Sequence, residues 1–297
     1  MEETITKYFD AIDIIYWINL DRSEIRRKNM EEILKYFPVK NERIPAVDGN
    51  KISLEELLNF FIKKKNIENQ LNKSEYGCLL SHLNTINKFS KTNYKYALIF
   101  EDDITLEYVK YWNKKISNII DGAPKDWEII MMNYSSDIPI KYLYELNINK
   151  KFACAQAYII NNTAAKKFIN KYYINFKYDL TGFDTYNADF FIFNRIITYC
   201  YKYPYFTYSI ENESTIHQEH LDYHKILKKT AFQPWEDLEN AKNEERSKNE
   251  EHIKNKEHIK NEERIKNEAN KTYYLNILLI GIIIILITLI LRLNYQI

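Results

Sequence analysis

The chain has 297 residues, and 42 Lys+Arg against 41 Asp+Glu leave a net charge of +1. That balance predicts no nucleic-acid partner and no strongly acidic one. A hydrophobic content of 45% at this length allows one large domain with a sizeable core. Asn, Lys, Ile and Tyr abound while Gly is scarce, a codon bias before it is chemistry, so the 25 tyrosines are weak support for stacking on bases or sugars. Cys78, Cys154 and Cys200 stand singly, without a CxxC pair. This argues against a disulfide framework or structural zinc and suits a reducing compartment, each thiol serving as a small buried hydrophobe.

In chain order, residues 1–11 read as an N-terminal extension and 12–235 as one domain of alternating apolar runs and amphipathic stretches. Ile12 to Ile18 reads as a first buried strand. Arg22 to Phe37 reads as a helix with Ile25, Met30, Ile33, Leu34 and Phe37 on one side. Gly77 to Phe89 opens a second helix that leads into the strand Tyr96 to Phe100. Glu128 to Met132 and Ala155 to Ile160 read as further strands, with a helix from Thr163 to Tyr172 after the latter. Strands alternating with helices predict an α/β fold with a mainly parallel sheet and ligands at the carboxyl ends of its strands.

From Lys242 the character changes: KNEERS, KNEEHI, KNKEHI and KNEERI repeat with a period of six. Residues 236–271 read as a charged spacer, helical or disordered, with Glu244–Lys248, Glu250–Lys254 and Glu262–Lys266 in the favourable acid-first i,i+4 order. Ile253, Ile259 and Ile265 fall six apart and rotate around a helix, which disfavours a coiled coil. His252 and His258 read as repeat filler. Tyr273 to Leu291 carries no charge and matches the ~20 residues that cross a hydrocarbon core. We therefore read 272–293 as a transmembrane helix and 294–297 as a short tail. With no signal-peptide pattern at the amino terminus, the expectation is a single-pass C-terminal anchor. Lys266 and Lys271 before the span and Arg292 after it favour a cytoplasmic catalytic domain. The sequons at Asn161 and Asn212 arise by chance in an Asn-rich chain and do not establish a lumenal one.

The most constraining segment is Glu101-Asp102-Asp103, which ends the apolar run Tyr96 to Phe100. Adjacent acids at the end of a buried strand repel and are costly to desolvate, and a hard divalent cation relieves both problems. The bland alternative is a solvated turn. Asn19 and Arg22, followed by Arg26 and Arg27, place a polar loop and basic groups after the first strand. Arg suits phosphate, although a solvated first helical turn explains any one of them. Asp48-Gly49 is turn chemistry or a hydrogen-bond acceptor for a ribose or base. Ser81 and His82 are structural or site residues on the helix before the acids.

Together these segments resemble glycosyltransferase family 25, the group of lipopolysaccharide glycosyltransferases and collagen β-galactosyltransferases. INLDRSEIRR, RIPAVDG, EYGCLLSH, ALIFEDD, AYIINNTAAKKF, ADFF and ESTI occur in the same order across residues 12–217. The resemblance implies a GT-A type fold and inverting transfer of a hexose from a UDP-sugar, assisted by Mn²⁺ or Mg²⁺. It implies that Asp103 contacts the metal while Glu101 and Asp102 hold metal-bound water and ribose. Asn19, Arg22, Ala46 and Asp48 would lie near the nucleotide, and Ser81 and His82 beside the donor. Asp189 matches the family's acidic position and is the expected general base, with a first-turn helix acid as its alternative and Asp184 in reserve. His217 would complete the metal or diphosphate site. Ala155-Gln156 and Ala188 depart from the family's usual residues, which bears on the acceptor, a glycan, lipid-linked glycan or protein. A catalytically silent, membrane-anchored binding module and a metal-dependent phosphohydrolase are the competing readings. The second leaves the INLDR and GCLLSH segments unexplained.

Overall fold

A computed structural model describes residues 2–62, 72–148, 151–182, 187–209 and 221–294. The order opens with α1 (Glu2–Tyr8), β1 (Ile14–Asn19), α2 (Glu24–Leu34), β2 (Asn41–Pro45), α3 (Leu54–Leu58) and β3 (Phe61–Ile62). Helix α4 (Lys73–Ser90) leads into β4 (Tyr96–Glu101), followed by β5 (Ile104–Thr105), α5 (Ile116–Gly122), β6 (Ile129–Met131) and β7 (Tyr144–Leu146). Next come β8 (Ala157–Asn161), α6 (Asn162–Tyr172) and a hairpin of β9 (Tyr173–Ile174) and β10 (Lys177–Asp179). Helix α7 (Ala188–Phe193), β11 (Thr198–Tyr201), β12 (Thr207–Tyr208) and α8 (Leu221–Asn294) complete it.

Strand β1 is buried at every position, as a β-branched and aromatic run covered on both faces should be. It lies in a seven-stranded sheet of order β2-β1-β4-β8-β6-β11-β7. β1 pairs in parallel with β2 and β4, and β6 with β11. β8 runs against both β4 and β6, and β7 against β11. Five of the seven strands therefore share one direction, and the mostly parallel sheet expected of this α/β chain is present. The reversal of β8 left no mark in its sequence, because a run such as Ala-Tyr-Ile-Ile-Asn is equally apolar in either direction. The register sets Ile18 opposite Glu101 and Asn19 opposite Pro45, so three parallel strands deliver their following loops to one edge.

Helix α4 begins at Lys73 and not at Gly77, because Asn72 and Glu75 form a reciprocal capping box ahead of it. Residues 2–10, set apart above as an extension, pack into the domain. Ile5 and Phe9 are buried, and the Asp10 carboxylate accepts from the Ser117 amide and hydroxyl at 2.8 and 2.9 Å.

The chain divides into two units, Met1–Glu236 and Asp237–Ile297. In the first, Leu227, Ala231 and Trp235 of α8 are buried, and the Trp235 indole donates to the Pro204 carbonyl at 2.9 Å. The second is helical through Asn294, and from Asn240 its described side chains are solvent-exposed, Ile253, Ile259 and Ile265 among them. His258–Glu262 and Arg264–Glu268 approach at 3.7 Å, surface pairs that contribute little, in place of the acid-first Glu–Lys pairs expected. Most side chains from Tyr273 to Ile290 are exposed and apolar, and this helix holds a stretch long and apolar enough to span a membrane.

Candidate active site

The loop after β2 is seated on α4 by two glycines. A Cβ on Gly77 would stand 2.6 Å from the Val47 carbonyl oxygen, and one on Gly49 would stand 2.3 Å from that of Lys73. Glycine inside a helix ordinarily weakens it, so close approach of a second backbone is the compensation. Ser81 completes the seam: its hydroxyl accepts from the Val47 amide at 2.8 Å and donates to the Gly77 carbonyl at 2.7 Å. Asp48 is thereby fixed, its carboxylate accepting from Arg22 Nε at 2.8 Å and from the Asn50 amide at 3.0 Å.

The three acids that end β4 have three different surroundings. Glu101 Oε1 lies 3.0 Å from His82 Nε2 and 3.7 Å from Cys78 Sγ, while His82 Nδ1 meets the Tyr158 hydroxyl at 3.1 Å. His82 is fully buried with both ring nitrogens engaged. Asp102 accepts from Asn19 Nδ2 at 2.6 Å and from Arg26 Nη1 at 2.9 Å. Asn19 is held in turn by Arg27 and Arg43, whose Nε atoms donate to its side-chain oxygen at 3.2 and 2.9 Å. Asp103 lies farther from Arg26, at 3.7 Å, and its buried Oδ1 has no hydrogen-bond partner among the described residues. Burial first, and then the charge of Glu101, push the Asp103 carboxyl up to about 7 against the opposing pull of Arg26.

A fourth carboxylate faces the same cavity. Asp189 sits in the first turn of α7, behind the Asn187 cap, and accepts from the Cys154 and Ala155 amides at 3.1 and 2.9 Å, one on each oxygen. Cys154 reaches that geometry at φ +97°, a conformation that costs an L-residue. Burial and Glu101 raise the Asp189 pKa, while the two backbone donors and His82 oppose the rise. The helix-acid and site readings of Asp189 are therefore compatible: it is a first-turn acid that also lines the cavity.

The cavity, about 370 Å³, is lined by Arg22, Arg26, Ala46, Asp48, Ser81, His82, Glu101, Asp102, Asp103 and Asp189 among others. Asn19 stands behind Asp102. Asp184 and His217 lie outside the described residues. Sequence reasoning missed the support: Tyr158 and Cys78 around His82 and Glu101, and the amides of Cys154 and Ala155 under Asp189. The departure at Ala155-Gln156 was the one signal near that clamp. Two donor sets could hold a cation. Cys78, His82 and Glu101 have ligand atoms within 4.8 Å of one another, a mixed sulfur, nitrogen and oxygen set that suits a softer ion than Mn²⁺ or Mg²⁺. The unpartnered Asp103 oxygen beside two further carboxylates suits a hard one.

The chain is 32% identical to a Glycosyltransferase 25 family member of Drosophila melanogaster over 119 residues, 38% of this chain and 19% of that protein. It is 30% identical to the Aedes aegypti family member over 128 residues, 40% of this chain and 21% of that protein. The matches thus span about a fifth of these curated relatives. The crystal structure of a glycosyltransferase involved in the glycosylation of the major capsid of PBCV-1 aligns at TM-score 0.31 and 13% identity. That alignment covers 59% of this chain and 71% of the other, a likeness too slight to carry an argument. The family profile of Glycosyltransferase family 25 (LPS biosynthesis protein) matches residues 12–182, which include β1, the loop after β2, α4 and the acidic triplet, and the chain belongs to that family.

Proposed function

We propose that the chain is an inverting glycosyltransferase that moves a hexose from a UDP-sugar to a hydroxyl of a glycan, lipid-linked glycan or protein, on a GT-A type fold. The observation that carries this reading is the buried oxygen of Asp103, unpartnered among the described residues, at the carboxyl end of a parallel strand in a chain of this family. Asp103 would hold Mn²⁺ or Mg²⁺, and His217 is the second candidate ligand. Such a cation, when bound, neutralises charge developing on the leaving diphosphate. Arg26 would share that task, since its guanidinium already lies against Asp102 and Asp103. Arg22 and Asp48 would bind the nucleotide, Ala46 gives it room, and Asn19 with Arg26 fixes Asp102. Glu101 is held by His82, and Ser81 holds the loop that carries Asp48. Asn19, His82 and Ser81 act by positioning.

Asp189 would take the proton of the acceptor hydroxyl as its oxygen attacks the anomeric carbon. The two amides fix its orientation, and each oxygen keeps a second lone pair for the incoming hydroxyl. Asp184 is the reserve. Asp237 onward would supply the spacer and anchor, with the catalytic domain cytoplasmic. The test is Mn²⁺-dependent UDP release from a panel of UDP-sugars by the full chain in detergent. Release with one donor, lost on chelation, is expected. One observation favours the silent binding module: Arg26 already pairs with Asp102 and approaches Asp103 without a metal. Absence of release with every donor, alongside intact UDP binding, would put that reading first.

A further inference from the structure

The β9–β10 hairpin turns through Asn175 and Phe176, whose φ angles are +49° and +63°. Two consecutive left-handed residues in a two-residue loop make a type I′ turn, where glycine is preferred at the second place because it alone takes this backbone without steric cost. Phe176 occupies that place and is 85% exposed. A bulky apolar side chain is disfavoured there twice, by backbone strain and by contact with water. Ile174, 41% exposed, flanks the turn. Phe60, 44% exposed, adjoins it, since parallel pairing of β3 with β10 sets Phe61 opposite Tyr178. Three apolar side chains thus stand in water at one end of the small β3-β10-β9 sheet, with the exposed Lys177 next to the turn and the exposed Lys171 three residues before Ile174. None of this is needed for the acid cluster or for Asp189.

Exposed apolar residues with lysines beside them are the chemistry of a surface that enters a membrane interface, the carbon groups at the acyl boundary and the ammonium groups at anionic headgroups. The chain itself indicates which apolar phase is at hand, since its carboxy-terminal helix holds a stretch long and apolar enough to span a bilayer. We infer that the β9–β10 tip inserts Phe176 and Ile174 into the interfacial layer of an anionic membrane and so holds the catalytic domain at the lipid surface. This rests on the reading of the apolar helix as a membrane anchor and is independent of the donor chemistry.

The test uses the full chain reconstituted in phosphatidylcholine vesicles, with and without phosphatidylserine, containing a photoactivatable carbene lipid. Labelled positions are mapped by mass spectrometry. The span is the internal reference, and its failure to label would count against the anchor and not the tip. Labelling of residues 172–178 is expected, stronger with phosphatidylserine. Phe176→Gly should reduce it about tenfold relative to the span, the order expected for losing one buried aromatic side chain. The unfolding temperature should not fall, since glycine suits the turn. Lys171→Glu with Lys177→Glu should abolish the phosphatidylserine effect. An unlabelled hairpin in the parent chain, or labelling undiminished by Phe176→Gly, would overturn the inference. So would a tip protected only when a protein acceptor is added, which would assign it to that partner.

Discussion

Asp103 and Asp189 line one cavity, and burial and the charge of Glu101 push both toward the neutral form, yet they are satisfied differently. Asp189 has a backbone amide on each oxygen, whereas Asp103 has a distant guanidinium and an oxygen with no partner among the described residues. A carboxylate held by fixed amide dipoles needs nothing more to be oriented and can exchange a proton with a substrate. One left short of donors is suited to a cation that the chain does not itself supply. Under the proposed function, the contrast would separate a donor side from an acceptor side of one cavity.

The largest effect should come from removing the unpartnered oxygen. Asp103→Ala should cut Mn²⁺-dependent UDP release by roughly 10³-fold, as expected when several kcal/mol of charge stabilisation is lost. Release that survives this change would dissolve the distinction between the two acids. Asp189→Asn should cost about 10²–10⁴-fold in transfer with the donor KM unchanged. Its amide must also turn an NH₂ toward one of two N–H donors, so about 1–3 kcal/mol of stability should go too, read separately by thermal unfolding. Unchanged transfer would move the base to Asp184.

The comparison can be sharpened by pH. Asp103 holds its proton until about 7, so a divalent cation must displace it below that point. Mn²⁺ affinity, measured by calorimetry, should rise about tenfold from pH 6 to 7 and flatten above. In metal-free protein the sign is opposite. The folded pKa lies above the unfolded one, so the folded chain keeps a proton that the unfolded chain has released, and this contribution to stability falls as pH rises from about 4 to about 7. The smallest expected effect is structural. Gly77→Ala should destabilise by about 1–3 kcal/mol by forcing the Asp48 loop off α4, a fall of roughly 2–4 °C per kcal/mol. It should raise the donor KM while leaving kcat near the parent value.

Much of this site was legible in the chain because its parts are local. An apolar run ending in three acids, a basic loop after the first strand and an Asp-Gly turn are each contiguous, and their order carried the family resemblance. The apolar segment Tyr273 to Leu291 was legible for the same reason, since length and lack of charge are properties of a segment. What stayed hidden is long-range. Asn19 reaches Asp102 across 83 positions, Arg26 reaches it across 76, and Cys154 reaches Asp189 across 35. Gly77 looked like a helix opener until the Val47 carbonyl beneath it showed why no side chain fits. The sequence by itself determined that three carboxylates leave a buried strand together, because periodicity and composition are written along the backbone. Only the tertiary structure decided that Asn19 and Arg26 claim Asp102, His82 claims Glu101, and Asp103 is left with an oxygen unpartnered among the described residues. Those outcomes depend on which loops a parallel sheet brings to one edge, and nothing local in the chain encodes that meeting.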